Sequence, residues 1–292
     1  MPRRILVCLF ALVALAACIP AEPNDDLKRT FDPEETVMGE IQQRGRLIVG
    51  IDPAAHPFTY CLDPIPAGCE WSGFTVDLAR EVADSLGVDI KFVTGGATEL
   101  LGMPEVGGAD ISFPFVPVTG RLVEPRDLAF TDPYYVAHER LLVRPDSEIQ
   151  QAIDITTERV CESVNPGTGV PIEEINTTLT PVSASIEECA GMFADGRVDV
   201  VVGPDVLLAG IVELAGGVIV GDQLNTEGYS AVLETGASAW IDYVNQVLEE
   251  AQQEGRWTEY FKRWIEPGLG ESLDPPGMSL EEAAALYPTD ES

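Results

Sequence analysis

A chain of 292 residues, 45% of them apolar, is long enough to bury a core and long for a single one, since domains usually run to about 100–200 residues; two lobes are expected. Its 17 Lys and Arg stand against 49 Asp and Glu, a formal net charge of −32. That excludes the basic footprint a nucleic-acid partner requires, and the plentiful, periodic apolar residues exclude a disordered chain.

Met1-Pro-Arg3-Arg4 is a short cationic start followed by apolar residues from Ile5 to Ala17. That run is too short to span a bilayer, which takes about 20 residues, and it has the length of a signal-peptide core. It ends Leu15-Ala16-Ala17-Cys18, which resembles the lipobox of bacterial lipoproteins: small residues before a cysteine that is acylated and becomes the first residue. Cleavage of 1–17 removes Arg3 and Arg4 and brings the net charge to −34. Residues 18–40, rich in Pro, Asp and Glu, read as a solvated tether. The expected location is extracytoplasmic, with the lipid as the chain's sole membrane contact. There the acidity reads as solubility or salt tolerance, screened within about 8 Å at physiological ionic strength.

Cysteine usage agrees with that compartment. Cys8 leaves with the signal and Cys18 is lipidated, so four remain for disulfides. Cys61 and Cys69 bracket a Pro- and Gly-rich loop, and a local bridge between them leaves Cys161 for Cys189. A zinc site fails on spacing and on the lack of nearby His.

In chain order, Arg46–Ile51 reads as a strand and Asp52–Phe58 as a loop. Val76, Ala79, Val82, Ala83 and Leu86 recur at helical spacing, with Gly87 where a C′ glycine belongs. Val88–Val93 is then a strand, which makes a βαβ unit and implies a parallel sheet. Gly108–Phe113 and Glu139–Val143 read as further strands. The cycle repeats with a strand at Arg159–Val164, a loop at Asn165–Gly169, a helix about Glu173, a segment Ser185–Phe193, a strand Val198–Val202 and a helix from Asp205. After Tyr229–Leu233 the pattern is helical through Ala251 until Gly255. Trp257, Tyr260, Phe261 and Trp264 then form one helical face, read as core. Ser279-Leu-Glu-Glu282 is a capping signal before a short Ala-rich helix. Two α/β lobes in series result, with ligand loops expected after Ile51, Phe113, Val164 and Val202, at the carboxyl ends of strands.

Arg44–Asp52, Gly73–Ala83 with Leu86-Gly87-Val88, Phe130–Tyr135, Gly196–Asp199 and the closing Val244-Asn245…Gly255…Trp264, in this order, resemble the extracytoplasmic solute-binding proteins of polar-amino-acid ABC importers. Cys161 with Cys189 and Asp205–Gly210 resemble actinobacterial members that bind acidic or amide amino acids. The resemblance implies a type II periplasmic-binding-protein fold, α/β, each lobe a mixed sheet flanked by helices, with two crossover strands as hinge. Lobe 1 would comprise 41–137 plus 231–266, lobe 2 138–230, and a C-terminal tail 267–292. It implies a monomer that traps a small polar solute, most simply an amino acid, by hinge closure and passes it to permease subunits.

An amino-acid site must satisfy an ammonium with acidic or carbonyl groups and a carboxylate with Arg or backbone N–H groups. The resemblance places Asp205 at the ammonium, Gly167-Thr168 at the carboxylate, and Asp52 at the ligand's side chain; Phe58 serves as an apolar wall or as core, and an N-cap role for Asp205 is compatible. The family's Thr-x-x-Arg run departs here: Thr119 is present, but the next Arg, Arg121, comes one residue early and Pro117 stands at a position often polar. Arg121 is the first choice for the carboxylate, with Arg140 and Arg126 behind it. His138-Glu139-Arg140 lies at the crossover. No catalytic or metal motif is present, no cofactor is expected, and neither His56 nor His138 has ligand spacing. The chain therefore reads as a non-enzyme. Relatives that sense ligand for a membrane partner, or that act as dehydratases through an acid with a raised pKa (here Glu139), supply the alternatives.

Overall fold

The structure is a computed structural model and describes residues 29–65, 68–123, 128–163 and 168–288. The signal segment and Cys18 lie outside these residues, as do Arg126 and Gly167.

The fold begins earlier than the composition implies. Thr36 accepts the Gly39 N–H and starts α1 (Val37–Arg44), which ends at Gly45 in the left-handed region. Phe31 packs edge-on against Tyr243 with ring centroids 5.3 Å apart, and Gln42 donates to the carbonyl of Leu86. The expected tether to residue 40 is thus corrected: from about residue 31 the chain is seated on the first lobe, because Phe31, Met38 and Ile41 supply an apolar face that the Pro- and Asp-rich composition conceals.

The first sheet holds β1 (Arg46–Ile51), β4 (Asp89–Thr94), β5 (Ile111–Phe113), β6 (Ala129–Phe130) and β14 (Val232–Leu233), in the order β4-β1-β5-β14-β6. β1 pairs in parallel with both β4 and β5. Between β1 and β4 come an antiparallel hairpin, β2 (Tyr60–Ile65) with β3 (Gly68–Ser72), and α2 (Phe74–Leu86). The five apolar positions expected of α2 are all buried, and Gly87 closes the helix at φ 68°. The Cys61–Cys69 bridge ties the hairpin where a loop was expected; its prolines mask the strand pattern. α3 (Ala97–Gly102) and α4 (Gly120–Val123) complete this lobe's first pass.

The second sheet holds β8 (Glu139–Val143), β9 (Val160–Glu162), β10 (Val182–Ser183), β11 (Val200–Pro204) and β12 (Val218–Val220), in the order β10-β9-β11-β8-β12. α5 (Ile172–Ile175), α6 (Ile186–Ala194) and α7 (Asp205–Ala215) connect or flank these strands. α6 opens with the Ser185/Glu188 capping box, and Cys161 of β9 is bridged to Cys189 of α6. Two crossing strands join the sheets: β7 (Tyr135–Ala137) pairs antiparallel with β13 (Glu227–Tyr229), Tyr135 opposite Tyr229 and Ala137 opposite Glu227.

After β14, the helices α8 (Ser238–Gln253) and α9 (Arg256–Trp264) return to the first lobe against α2. Trp257 and Phe261 are buried, each worth about 1.5–3 kcal/mol relative to exposure, while the half-buried Trp264 donates to Asp77. The stripe is core, as read. The chain then runs back over the crossover. In α10 (Glu266–Leu269), Gly268 lies against the backbone of Ala209 so closely that a Cβ there would meet its carbonyl oxygen at 2.1 Å. α11 (Leu280–Leu286), opened by the Ser279/Glu282 capping box, buries Ala283 among Val118, Phe130 and Val232. Tyr287 accepts the Gly120 N–H at its carbonyl and donates its hydroxyl to the Thr226 carbonyl. Residues 266–287 therefore form a strap that touches both lobes and the crossover.

Candidate functional site

The crossover delivers polar side chains into an apolar setting. Phe58 is buried amid Phe74, Phe115, Tyr134, Tyr135 and Tyr229, with centroid distances of 5.2–6.2 Å; it is core and, through Tyr135 and Tyr229, a wall beneath the crossover. Phe115 stacks on Tyr229 at 4.4 Å. The hydroxyls of Tyr134 and Tyr135 are buried with no hydrogen-bond partner among the described residues, and burial pushes both phenols well above their ordinary pKa. Buried polar groups are normally satisfied, so such orphans point to groups a ligand completes.

Asp205 is the main such orphan. It is the first residue of α7, not its N-cap, because Pro204 occupies the cap position. Its own N–H donates to the His138 carbonyl at 2.8 Å, which pins the helix start to the crossover. The side chain is 2% exposed and Oδ1 has no partner among the described residues. Burial raises its carboxyl to about 7, against the lowering effect of the His138 and Val206 backbone and of Arg140, while Glu271 adds to the rise. A buried carboxylate with an open acceptor is suited to a desolvated cation.

Arg140 stands beside Asp205, its guanidinium paired with Glu271 of the strap. Arg121 is exposed on α4 and bonds to no described residue. The expectation that Arg121 is the gripping residue is therefore not matched by its placement: the short turn from Gly120 to Val123 directs it to solvent. Thr119 is half-buried at that turn, its carbonyl accepting the Leu122 and Val123 N–H groups.

Behind Arg140 lies a second set of buried carboxylates that sequence reasoning missed apart from Glu139. Thr168 donates its hydroxyl to Glu227 at 2.5 Å, and Tyr229 donates to the same carboxylate at 2.5 Å. Asn225 bridges them, accepting the Glu139 N–H at 2.7 Å and donating to the Thr168 carbonyl at 3.1 Å. Glu139 accepts the Val170 N–H at 2.9 Å through Oε2, while Oε1 is buried without a partner among the described residues. Burial first, then the Glu227 and Glu162 charges, raise Glu139 to about 8 against the Val170 bond. No local pattern marks Glu227; only its place in an extended segment ahead of Tyr229 could have suggested it.

Asp52 closes the set from the first lobe. Half-buried at the end of β1, it accepts the Ala54 N–H at 2.9 Å, and burial together with Glu187 of α6 raises its carboxyl above the usual range. The same loop touches the second lobe: His56 meets Glu213 at 3.0 Å, and Gly210 of α7 abuts the His56 backbone. The lobes are closed on one another. The described residues hold no group of three or more His, Cys, Asp or Glu placed for a metal ion, and none of their helices is long and apolar enough to cross a membrane.

Two α/β sheets joined by paired crossover strands, closed over buried and partly unpaired polar groups, define a two-lobed periplasmic-type binding protein. The chain belongs to the bacterial extracellular solute-binding proteins, family 3, whose model matches residues 47–267. It is 24% identical over 266 residues, 89% of this chain and 95% of the relative, to the ABC transporter glutamine-binding protein GlnH of Bacillus subtilis (strain 168). It is 28% identical over 123 residues, 42% of this chain and 44% of the relative, to the histidine-binding periplasmic protein of Salmonella typhimurium. Among solved structures, an ancestral cationic amino acid solute-binding protein aligns at TM-score 0.68 and 23% identity, covering 79% of this chain and all of the other. A mutant of the arginine-binding protein of T. maritima aligns at 0.60 and 26%, covering 78% and 98%.

Proposed function

We propose that this protein is the lipid-anchored, monomeric capture component of an ABC importer, held to the membrane through Cys18, and that its solute is an amino acid delivered to permease subunits. Lobe 1 is taken as 41–137 plus 231–266, with the segment from about residue 31 seated on it, and lobe 2 as 138–230. Asp205 receives the ammonium, the loop that includes Thr168 the carboxylate, and Asp52 with Phe58 the side-chain end; Arg140, whose charge acts on Asp205, replaces Arg121 as the candidate guanidinium. The observation that carries the reading is the buried Oδ1 of Asp205 at the crossover, which, like the Tyr134 and Tyr135 hydroxyls, has no partner among the described residues. Ligand that binds only the folded, closed form stabilises it by mass action, so a thermal-shift screen across the amino acids tests it. At least one should raise Tm, and a panel with no shift removes the amino-acid assignment. The solute is expected unchanged after incubation; Glu139, with Oε2 held by Val170 but Oε1 open, is the acid an enzyme would use, so recovery of a dehydrated or decarboxylated product would reverse that.

Proton linkage gives a second test. Between the ordinary carboxyl value of 3.8 and its folded value of about 7, Asp205 is protonated in the free protein, whereas an ammonium ion requires it ionised. Binding at pH 6 should therefore release about one proton from this group, with affinity rising as pH rises toward 7 and Asp205's share vanishing above about pH 8. Calorimetry in two buffers of different ionisation heat reads this directly. Proton uptake at pH 6, or none exchanged, would remove Asp205 from the ammonium.

A further inference from the structure

The strap beyond α9 brings a carboxylate that the family's matched span does not contain: that match ends at residue 267, and Glu271 lies past it. The docking of the strap is built in. Gly268 has no room for a side chain against Ala209 of α7, Leu280 N–H is accepted by Asp132 at 2.8 Å, and Tyr287 is bonded to Thr226 at the return crossover. Glu271 is thereby set against Arg140, whose side chain is 14% exposed while its own is 46% exposed. The Nε of Arg140 is buried and has no acceptor among the described residues, and its charge acts on Asp205, while one end of the guanidinium is taken by the strap.

A half-buried guanidinium beside the binding groups is the natural partner of a carboxylate. Where it is already neutralised from within the chain, a second carboxylate on a solute meets Asp205, Asp52 and Glu271 with no cation to offset them. We propose that Glu271 is a specificity-determining residue: by holding Arg140 it excludes amino acids with an anionic side chain and reserves the site for neutral or cationic ones. The proposal rests on the amino-acid reading of the site, and it runs against the acidic-ligand half of what the actinobacterial resemblance implies.

The test compares L-arginine, L-glutamine and L-glutamate on the full chain, by thermal shift and titration calorimetry, in wild type, Glu271→Gln and Tyr287→Phe. Wild type should prefer arginine or glutamine to glutamate. Glu271→Gln should move that ratio at least about tenfold toward glutamate, the size of one charge-assisted contact. Tyr287→Phe loosens the far end of the strap without touching Arg140 and should leave the ratio within about twofold, a readout that a merely structural strap would not separate. Glutamate bound best by wild type, an unmoved ratio in Glu271→Gln, or an equal move in Tyr287→Phe each overturns the role of Glu271 while leaving solute binding intact. No binding of any amino acid to any of the three proteins overturns the amino-acid reading and this inference with it.

Discussion

Asp205→Asn is expected to abolish the solute-induced rise in Tm while leaving the free protein at least as stable as wild type at pH 7.5. The two halves have one cause. With its carboxyl raised from 3.8 to about 7 by burial, Asp205 gives its full stabilisation below its unfolded value; that contribution is lost progressively as pH rises from there through about 7. At pH 7.5 the charged form is held in an unfavourable place, a burden on the order of a few kcal/mol. Asparagine keeps the shape and the acceptor oxygen but carries no charge, so the burden disappears. For a solute ammonium the same change removes a buried counter-charge, which typically costs about 2–5 kcal/mol, a loss of roughly 30-fold to several-thousand-fold. Circular dichroism melts and calorimetry on the variant check both. Retained affinity would show that the ammonium goes elsewhere, and a Tm several degrees lower would show that the Asp205 carboxylate serves the fold and is not reserved for a ligand.

The comparison of Asp205 with Glu271 shows what a sequence makes legible. Asp205 follows Gly203-Pro204 at the end of a strand, a local pattern at a place where open α/β sheets put their ligand loops. α2 and its closing Gly87, the Ser279 capping box and the Trp257 face were likewise set by spacings of three and four residues. Glu227 and Glu271 have no such local mark. Glu227 takes its role from Thr168, 59 residues away, and Glu271 from Arg140, 131 residues away, and only the crossover and the strap bring these pairs together. Arg121 differs in the opposite sense: it was chosen from a local run that already departed from the family pattern, and it sits exposed on a four-residue helix. The hairpin at 60–72 was hidden because Pro64 and Pro66 read as loop, although β2 pairs with β3 on both sides of a register shift. Local order was readable; long-range charge pairing was not.

Gly210→Val should leave each lobe folded and prevent their closure. Gly210 sits on the buried face of α7, and a Cβ there would meet the His56 carbonyl oxygen at 2.6 Å and the carbonyl carbon at 3.0 Å. These are backbone atoms of the facing lobe, so no side-chain rotation relieves the clash; the loop from Asp52 to Phe58 must retreat or the lobes must part. Parting is the softer response, since the lobes are joined by two short strands and hinge motion needs only a few backbone torsions to change. The His56–Glu213 contact at 3.0 Å goes with it. Binding energy in such a protein comes from contacts made by both lobes at once, which in the proposed site are Asp52 and Phe58 from one and Asp205 and Thr168 from the other. A variant held open forfeits one half and admits water to the rest, which weakens every buried charge interaction. Affinity should fall at least about 100-fold, comparable to losing a few kcal/mol of interlobe contact, with Tm of the free protein nearly unchanged because neither core is touched. Small-angle scattering separates the mechanism from simple misfolding: wild type should show the compact radius of gyration of the closed lobes, and Gly210→Val should keep a larger one at any solute concentration. If the variant is as compact as wild type and binds like it, α7 and the His56 loop do not meet during capture, and closure must proceed about a different contact from the one seen between Gly210 and His56.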